Sequence, residues 1–175
     1  MTYISSSARE YKSNLLYSAR STSLIKAMLL VRTKIGKSKI HGTGLFADED
    51  IPKGLVIWRY FPDLDLALSI KEVLKLPVVA QNYIYKHAWL SKKLNKYILS
   101  FDNDRFANHS EEYNVGEKPT DAEDEPSAIA LRSISKGEEI TFNYQDIDSD
   151  HKRKLLSGEK DSKEAKILKA SAVLQ

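Results

Sequence analysis

The chain has 175 residues and a mass of 19.9 kDa, with 42% hydrophobic and 29% charged residues, the size and balance of one globular domain rather than of two full domains or a disordered chain. Its longest apolar runs, such as residues 27–31, fall far short of the ~20 residues a membrane-crossing helix needs, and the lack of cysteine excludes disulfides, thiolate metal sites and a thiol nucleophile. The net charge of +3 conceals a sorting of sign along the chain, with +7 over residues 1–40, +2 over 41–100, −10 over 101–150 and +4 over 151–175. Basic ends attract anionic surfaces, whereas an acidic stretch beside a pocket attracts a cationic substrate.

The first 27 residues hold seven Ser, two Arg, two Lys and one acid, a composition shared with organellar transit peptides. Residues 1–30 therefore read as a basic, Ser-rich leader, with Met28 as a candidate start of translation. Leu29 to Thr33 reads as a first strand. From Ile40 onward short apolar runs alternate with Gly, Pro and Asp, the punctuation of β structure. Leu45 to Ala47 and Leu55 to Tyr60 read as strands around a Pro52-Lys53-Gly54 turn. Between Ser69 and Leu94 the period changes: Ile70, Val73 and Leu74 suit one helix, and Tyr83, Ile84, His87 and Ala88 a second after Pro77. A helical insertion over about 64–96 thus interrupts the strands, which resume at Tyr97 to Phe101, Ala128 to Arg132 and Ile140 to Tyr144. Glu117 to Pro126 reads as an acidic loop, Ser135 to Glu138 as a tight turn through Gly137, and 149–175 as a polar tail or helix, with Ser162 to Leu174 as a surface helix or frayed end.

Three segments carry candidate chemistry. His41-Gly42-Thr43-Gly44-Leu45-Phe46-Ala47 sets two glycines before a strand, where missing side chains let a ligand approach the backbone, or simply let the chain turn. Arg105-Phe106-Ala107-Asn108-His109-Ser110 has no hydrophobic stripe, so its polar groups bond a ligand or one another. Strand alternation over Glu138 to Tyr144 puts Phe142 and Tyr144 on one face, as core or as the walls of a narrow slot. The four histidines are scattered without ligand spacing, so no metal site is expected, and Ser110 lacks the glycine-flanked setting of a hydrolase nucleophile.

Taken together and in order, these segments resemble the three signatures of the SET-domain protein lysine methyltransferases, over about Val31 to Gln145 and with Ile51-Pro52-Lys53-Gly54 between the first two strands. The likeness is greatest to the small, minimal SET proteins of bacteria and viruses. It implies a mainly β fold with short helices (α+β), small curled sheets around a C-terminal pseudo-knot, within a domain spanning 31–148. It also implies transfer of a methyl group from S-adenosylmethionine to a protein lysine, leaving S-adenosylhomocysteine, with no metal. Gly42, Thr43, Gly44, Arg105, Phe106, Asn108 and His109 are then the expected cofactor contacts and Tyr144 the catalytic tyrosine. Tyr60, Tyr83, Tyr85 and Phe142 are the expected walls of the lysine channel, and Phe142 stands near where a Phe/Tyr exchange sets the number of methyls in this family.

The expected partner is a basic protein or lysine-containing peptide in an intracellular setting, cytoplasmic or associated with the nucleoid or nucleus, with no membrane and no direct nucleic-acid contact, because the basic ends lack interleaved aromatics and the middle of the chain is acidic. Glu111-Glu112-Tyr113 replace the Cys and Pro that often follow the family's Asn-His-Ser, and the cysteines that close the channel in chromatin enzymes are absent. Closure must then come from the tail after Asp146 or from a partner subunit, which admits a homodimer. A different class of reading is a SET-like module that binds a lysine-rich peptide without turnover.

Overall fold

The computed structural model describes residues 28–118 and 124–158; the leader, part of the acidic segment and Ser162 to Leu174 lie outside the described residues. The strands are β1 (Met28–Leu29), β2 (Thr33–Lys37), β3 (Thr43–Ala47), β4 (Val56–Arg59), β5 (Leu66–Ser69), β6 (Trp89–Leu90), β7 (Lys96–Leu99), β8 (Asn108–His109), β9 (Val115–Lys118), β10 (Ser127–Ala130) and β11 (Glu139–Phe142). The helices are α1 (Ile70–Lys75), α2 (Val78–His87), α3 (Tyr144–Ile147) and α4 (His151–Gly158). This is the mainly β fold with short helices that the resemblance implies.

One curled sheet runs β1-β4-β10-β9-β11-β3-β2, with β8 also paired to β11. Alternation along β3 and β4 turns Leu45, Ala47 and Ile57 inward, where they meet Val115, Ala128, Ile134 and Ile140 in the main core. Full burial of each Leu, Ile or Val side chain among them stabilises the fold by roughly 1.5–3 kcal/mol. Gly54 and Gly137 take φ of +85° and +89°, a left-handed conformation that glycine adopts without strain. Ile51 and Ile134 exchange backbone hydrogen bonds of 2.8 and 2.9 Å between these two turns.

The insertion forms its own small layer, a sheet of order β5-β7-β6 under α1 and α2, around Val73, Ile84, Ala88 and Tyr97. Ser69 and Glu72 start α1 as a reciprocal cap: the Ser69 Oγ accepts from the Glu72 N–H, and Glu72 Oε2 accepts from the Ser69 N–H at 2.8 Å. Pro77 separates the helices because the residue ahead of a proline is pushed out of helical geometry, and Leu76 is extended there.

Three sequence expectations are corrected. The first apolar run is two strands: β1 pairs with β4 and β2 with β3, the chain crossing from one to the other over 30–32. The acidic segment does not begin as a loop, because Val115 to Lys118 pair along β10. The last strand stops at Phe142, since the Asn143 side chain accepts the Gln145 N–H at 3.1 Å and caps α3. Tyr144 therefore reaches its place from a helix start, not from strand alternation.

Candidate functional site

The site is assembled around β11, which joins segments distant in sequence. It pairs antiparallel with β3 and parallel with β8, setting Thr141 beside Asn108 and Phe142 beside His109. The Ser110 N–H continues this ladder to the Phe142 carbonyl at 3.0 Å.

Asn108 is the fastener between these strands and the glycine segment. Its buried side-chain amide lies 3.1 Å from the His41 carbonyl, 3.2 Å from that of Thr43 and 2.9 Å from Glu139 Oε1. Glu139 is held in turn by the Ser38 hydroxyl, which donates to its Oε2 at 3.0 Å. Gly44 is needed for this arrangement, because a Cβ there would fall 2.4 Å from Glu139 Oε1 and 3.1 Å from the Ser38 Cβ. Gly42 differs: its φ is +50° and nothing lies within 4 Å of where its Cβ would be, so its backbone borders open space.

His109 links this cluster to Tyr144. The Tyr144 N–H donates to His109 Nδ1 at 3.1 Å, and the two rings lie 5.4 Å apart. Nδ1 is then an acceptor, which puts the ring hydrogen of the neutral imidazole on Nε2. The Tyr144 hydroxyl donates to the Ala107 carbonyl at 2.7 Å. Burial holds this phenol well above its ordinary range, with Asp148 and Asp104 adding to the shift, so it remains a proton donor at neutral pH.

Tyr144 and Ala107 border a cleft of about 580 Å³, including its solvent-open part, whose lining includes Trp58, Trp89, Phe142, Ile147 and Lys154. The indoles of Trp58 and Trp89 meet edge to face at 5.4 Å, and Trp58 Nε1–H donates to the Ser100 hydroxyl at 3.2 Å. Lys154 places its Nζ 4.7 Å over the Tyr144 ring and 3.3 Å from Asp148 Oδ2. Burial lowers the pKa of this ammonium, while Asp148 opposes the shift.

The rim is acidic. Asp104, Glu117 and Glu125 all border the cleft, and burial raises each carboxyl above its ordinary value. Asp104 is pushed up to about 8, first by burial and then by Asp102 and Asp65. Its Oδ1 is sealed from solvent and accepts no hydrogen bond. Arg105 also borders the cleft, donating from Nη1 to the Phe101 carbonyl at 2.7 Å and stacking over Phe106 at 5.1 Å, while its Nε is a sealed donor without an acceptor.

Of the expected channel walls, Phe142 lines the cleft and the three tyrosines do not. Tyr60 packs against the main core, its hydroxyl pushed up by burial and by Asp65. Tyr83 is 46% exposed and stacks on His87. Tyr85 belongs to the insertion's core, edge-on to Tyr97 at 5.6 Å and beneath Arg153 at 4.4 Å. The aromatic walls that sequence reasoning missed are Trp58 and Trp89. Trp58 lies inside an expected strand, where an indole reads as core. Trp89 follows a helix with no motif around it. The tail after Asp146 does reach the cleft, through Ile147 and Lys154. Among the described residues no cluster of His, Asp and Glu is placed to hold a metal, and no helix is long and apolar enough to cross a membrane.

A curled β scaffold whose last strand joins an Asn-His pair to a partly buried tyrosine beside an aromatic cleft defines a SET-type domain. The SET-domain family model matches residues 42–145, more than half of the chain, and the chain belongs to that family. No curated protein matches it. Among solved structures, Polycomb Repressive Complex 2 of Chaetomium thermophilum bound to GSK126 is similar, at 23% identity and a TM-score of 0.54 over 75% of this chain and 18% of that one. The apo form of that complex carrying two Ezh2 mutations gives 23% identity and a TM-score of 0.53 over 70% of this chain and 16% of that one. The chain thus spans less than a fifth of these chains, and the likeness is one of fold.

Proposed function

We propose that this protein transfers a methyl group from S-adenosylmethionine to the side-chain amine of a protein lysine. The observation that carries the reading is Tyr144: its hydroxyl is anchored on the Ala107 carbonyl at the wall of an aromatic cleft, and its backbone is tied through His109 to the strand that bears Asn108. The residues present fit the cofactor. Gly42 and Thr43 offer exposed backbone at the turn that Asn108 holds, and the sealed, unpartnered Nε of Arg105 is a donor awaiting an acceptor. Gly42, Thr43, Gly44, Arg105, Phe106, Asn108 and His109 would hold S-adenosylmethionine, which supplies an electrophilic methyl on a positive sulfonium when bound.

The chain's own residues then have three tasks. Trp58, Trp89 and Phe142 orient the incoming side chain and exclude water, which converts an encounter into an aligned approach. The same apolar walls favour the neutral amine that must act as nucleophile, and Lys154 illustrates the effect, its own amine being lowered by burial in this cleft. The Tyr144 hydroxyl and the Ala107 carbonyl fix the dipoles of the reaction zone before the target arrives. The exposed Glu117 at the border of the cleft favours approach of a basic protein or lysine-containing peptide, whereas Asp104 keeps its proton and stays neutral up to about pH 8.

The test is incubation of the protein with labelled S-adenosylmethionine and a mixture of basic proteins, beside Tyr144→Phe. Label on a protein band with the wild type and its loss in the variant support the reading. Equal label in both would remove Tyr144 from its role, and absence of cofactor binding by calorimetry would remove the enzymatic reading altogether.

A further inference from the structure

The cleft already holds an amine of the chain's own. Four successive residues of α4, His151 to Lys154, are basic or imidazole, yet they face different ways. Lys152 is exposed, and Arg153 stacks over Tyr85 and donates to Asp150 Oδ2 at 2.7 Å. Lys154 turns inward, its side chain only 13% exposed, onto Tyr144 and Asp148. Asp148 is built to receive it: its Oδ1 takes the Leu90 N–H at 3.0 Å and the Asp150 N–H at 2.8 Å, leaving Oδ2 for the ammonium. The helix is moored outside the cleft by the Tyr97 hydroxyl on Asp150 Oδ2 at 2.6 Å. Lys154 thus sets a buried amine against the Tyr144 ring within the lining of the cleft, the place the proposed reaction assigns to the target amine.

We infer that Lys154 is a built-in occupant of the target-lysine site, so that the chain with α4 docked is self-blocked and a substrate lysine must displace this side chain to enter. The inference rests on the proposed methyl-transfer reading. It follows that apparent affinity for a lysine is reduced by the fraction of molecules in which Lys154 is seated, and that removing the amine restores it.

The test uses the full chain and Nα-acetyl-lysine N-methylamide as probe. Both tryptophans of the chain, Trp58 and Trp89, line the cleft, so intrinsic fluorescence reads its occupancy. Lys154→Met keeps the stem without the charge and is expected to bind the probe at least about tenfold more tightly than wild type, as expected when the docked form dominates by that ratio; Lys152→Met should match wild type. In the wild type, saturating probe should raise acetic anhydride labelling of Lys154 several-fold and leave Lys152 unchanged, a readout that serves even if Lys154→Met fails to fold. Equal affinity in wild type and Lys154→Met, or a bound probe that leaves Lys154 protected, overturns the inference alone. A probe that binds neither protein overturns the lysine-site reading and the inference with it.

Discussion

Asn108→Ala is the sharpest probe of how the site is held. The amide has two N–H groups facing three acceptors, the His41 and Thr43 carbonyls and Glu139 Oε1, so two good bonds form at a time. A neutral bond contributes about 1 kcal/mol and one to a carboxylate about 1.5–3 kcal/mol. Their loss, with buried acceptors left unpaired, should destabilise the protein by about 3 kcal/mol. Urea unfolding followed by far-UV circular dichroism gives the value directly, with an unchanged m showing that the two-state comparison is sound. Because the same amide pins the glycine turn, the affinity for S-adenosylmethionine, read by calorimetry on folded variant, should fall as well. Asn108→Asp keeps the shape but points an acceptor at three acceptors, and should be at least as damaging. A loss below about 1 kcal/mol in Asn108→Ala, or an Asp variant as stable as wild type, would refute the fastening role.

Tyr144→Phe removes only the donor to Ala107; stability should drop by about 1 kcal/mol, while kcat in a methyl-transfer assay falls roughly 10²-fold and the cofactor dissociation constant barely changes. Asp104 holds its proton up to about pH 8 in the folded protein, against about 3.9 for an unperturbed Asp. Between these values the native state binds the extra proton, so this group makes stability fall as pH rises, levelling above 8. Asp104→Asn should flatten that fall, and the stability difference between variant and wild type, measured by urea titration from pH 5 to 8, should grow in the variant's favour; a constant difference would contradict the assignment. Gly44→Ala should displace Glu139 from Asn108 and Ser38 at a cost of about 1–3 kcal/mol, whereas Gly42→Ala, with open space around it, should be limited to the strain of its positive φ.

The sequence made the frame legible where a single residue sets local geometry: Pro77 divides two helices, Gly54 and Gly137 turn the chain, and alternating apolar residues mark β3 and β4. Asn108, His109 and Tyr144 stood out through the resemblance of their segments to the SET signatures, the local residue reading alone leaving each open between a structural and a functional place. What remained hidden depends on partners far along the chain. Val115 to Lys118 become a strand only because β10 lies alongside, and Tyr144 leaves the strand pattern because Asn143 caps the following turn. That Tyr83 and Tyr85 stand away from the cleft has a related reason: they belong to a helix whose buried face serves the insertion's own core, and no local pattern distinguishes that core from the cleft. Lys154 was read as part of a polar tail because its burial is created by Tyr144 and Asp148 from outside its own helix.

The position of β11 inside the sheet, flanked by strands made much earlier in synthesis, has a consequence for the nascent chain. Glycine turn, Asn-His pair and tyrosine cannot meet until residues 139–144 have left the ribosome, some thirty residues behind His109, a delay on the order of a few seconds at typical elongation rates. During that interval the inner edges of β3 and β8 lack their central partner and the main core lacks Ile140 and Phe142. The assembled site and the completed core therefore arrive together, in one late step. A chain cut short before Glu139 would be an unpaired sheet edge in need of a chaperone, not a folded domain with a damaged site.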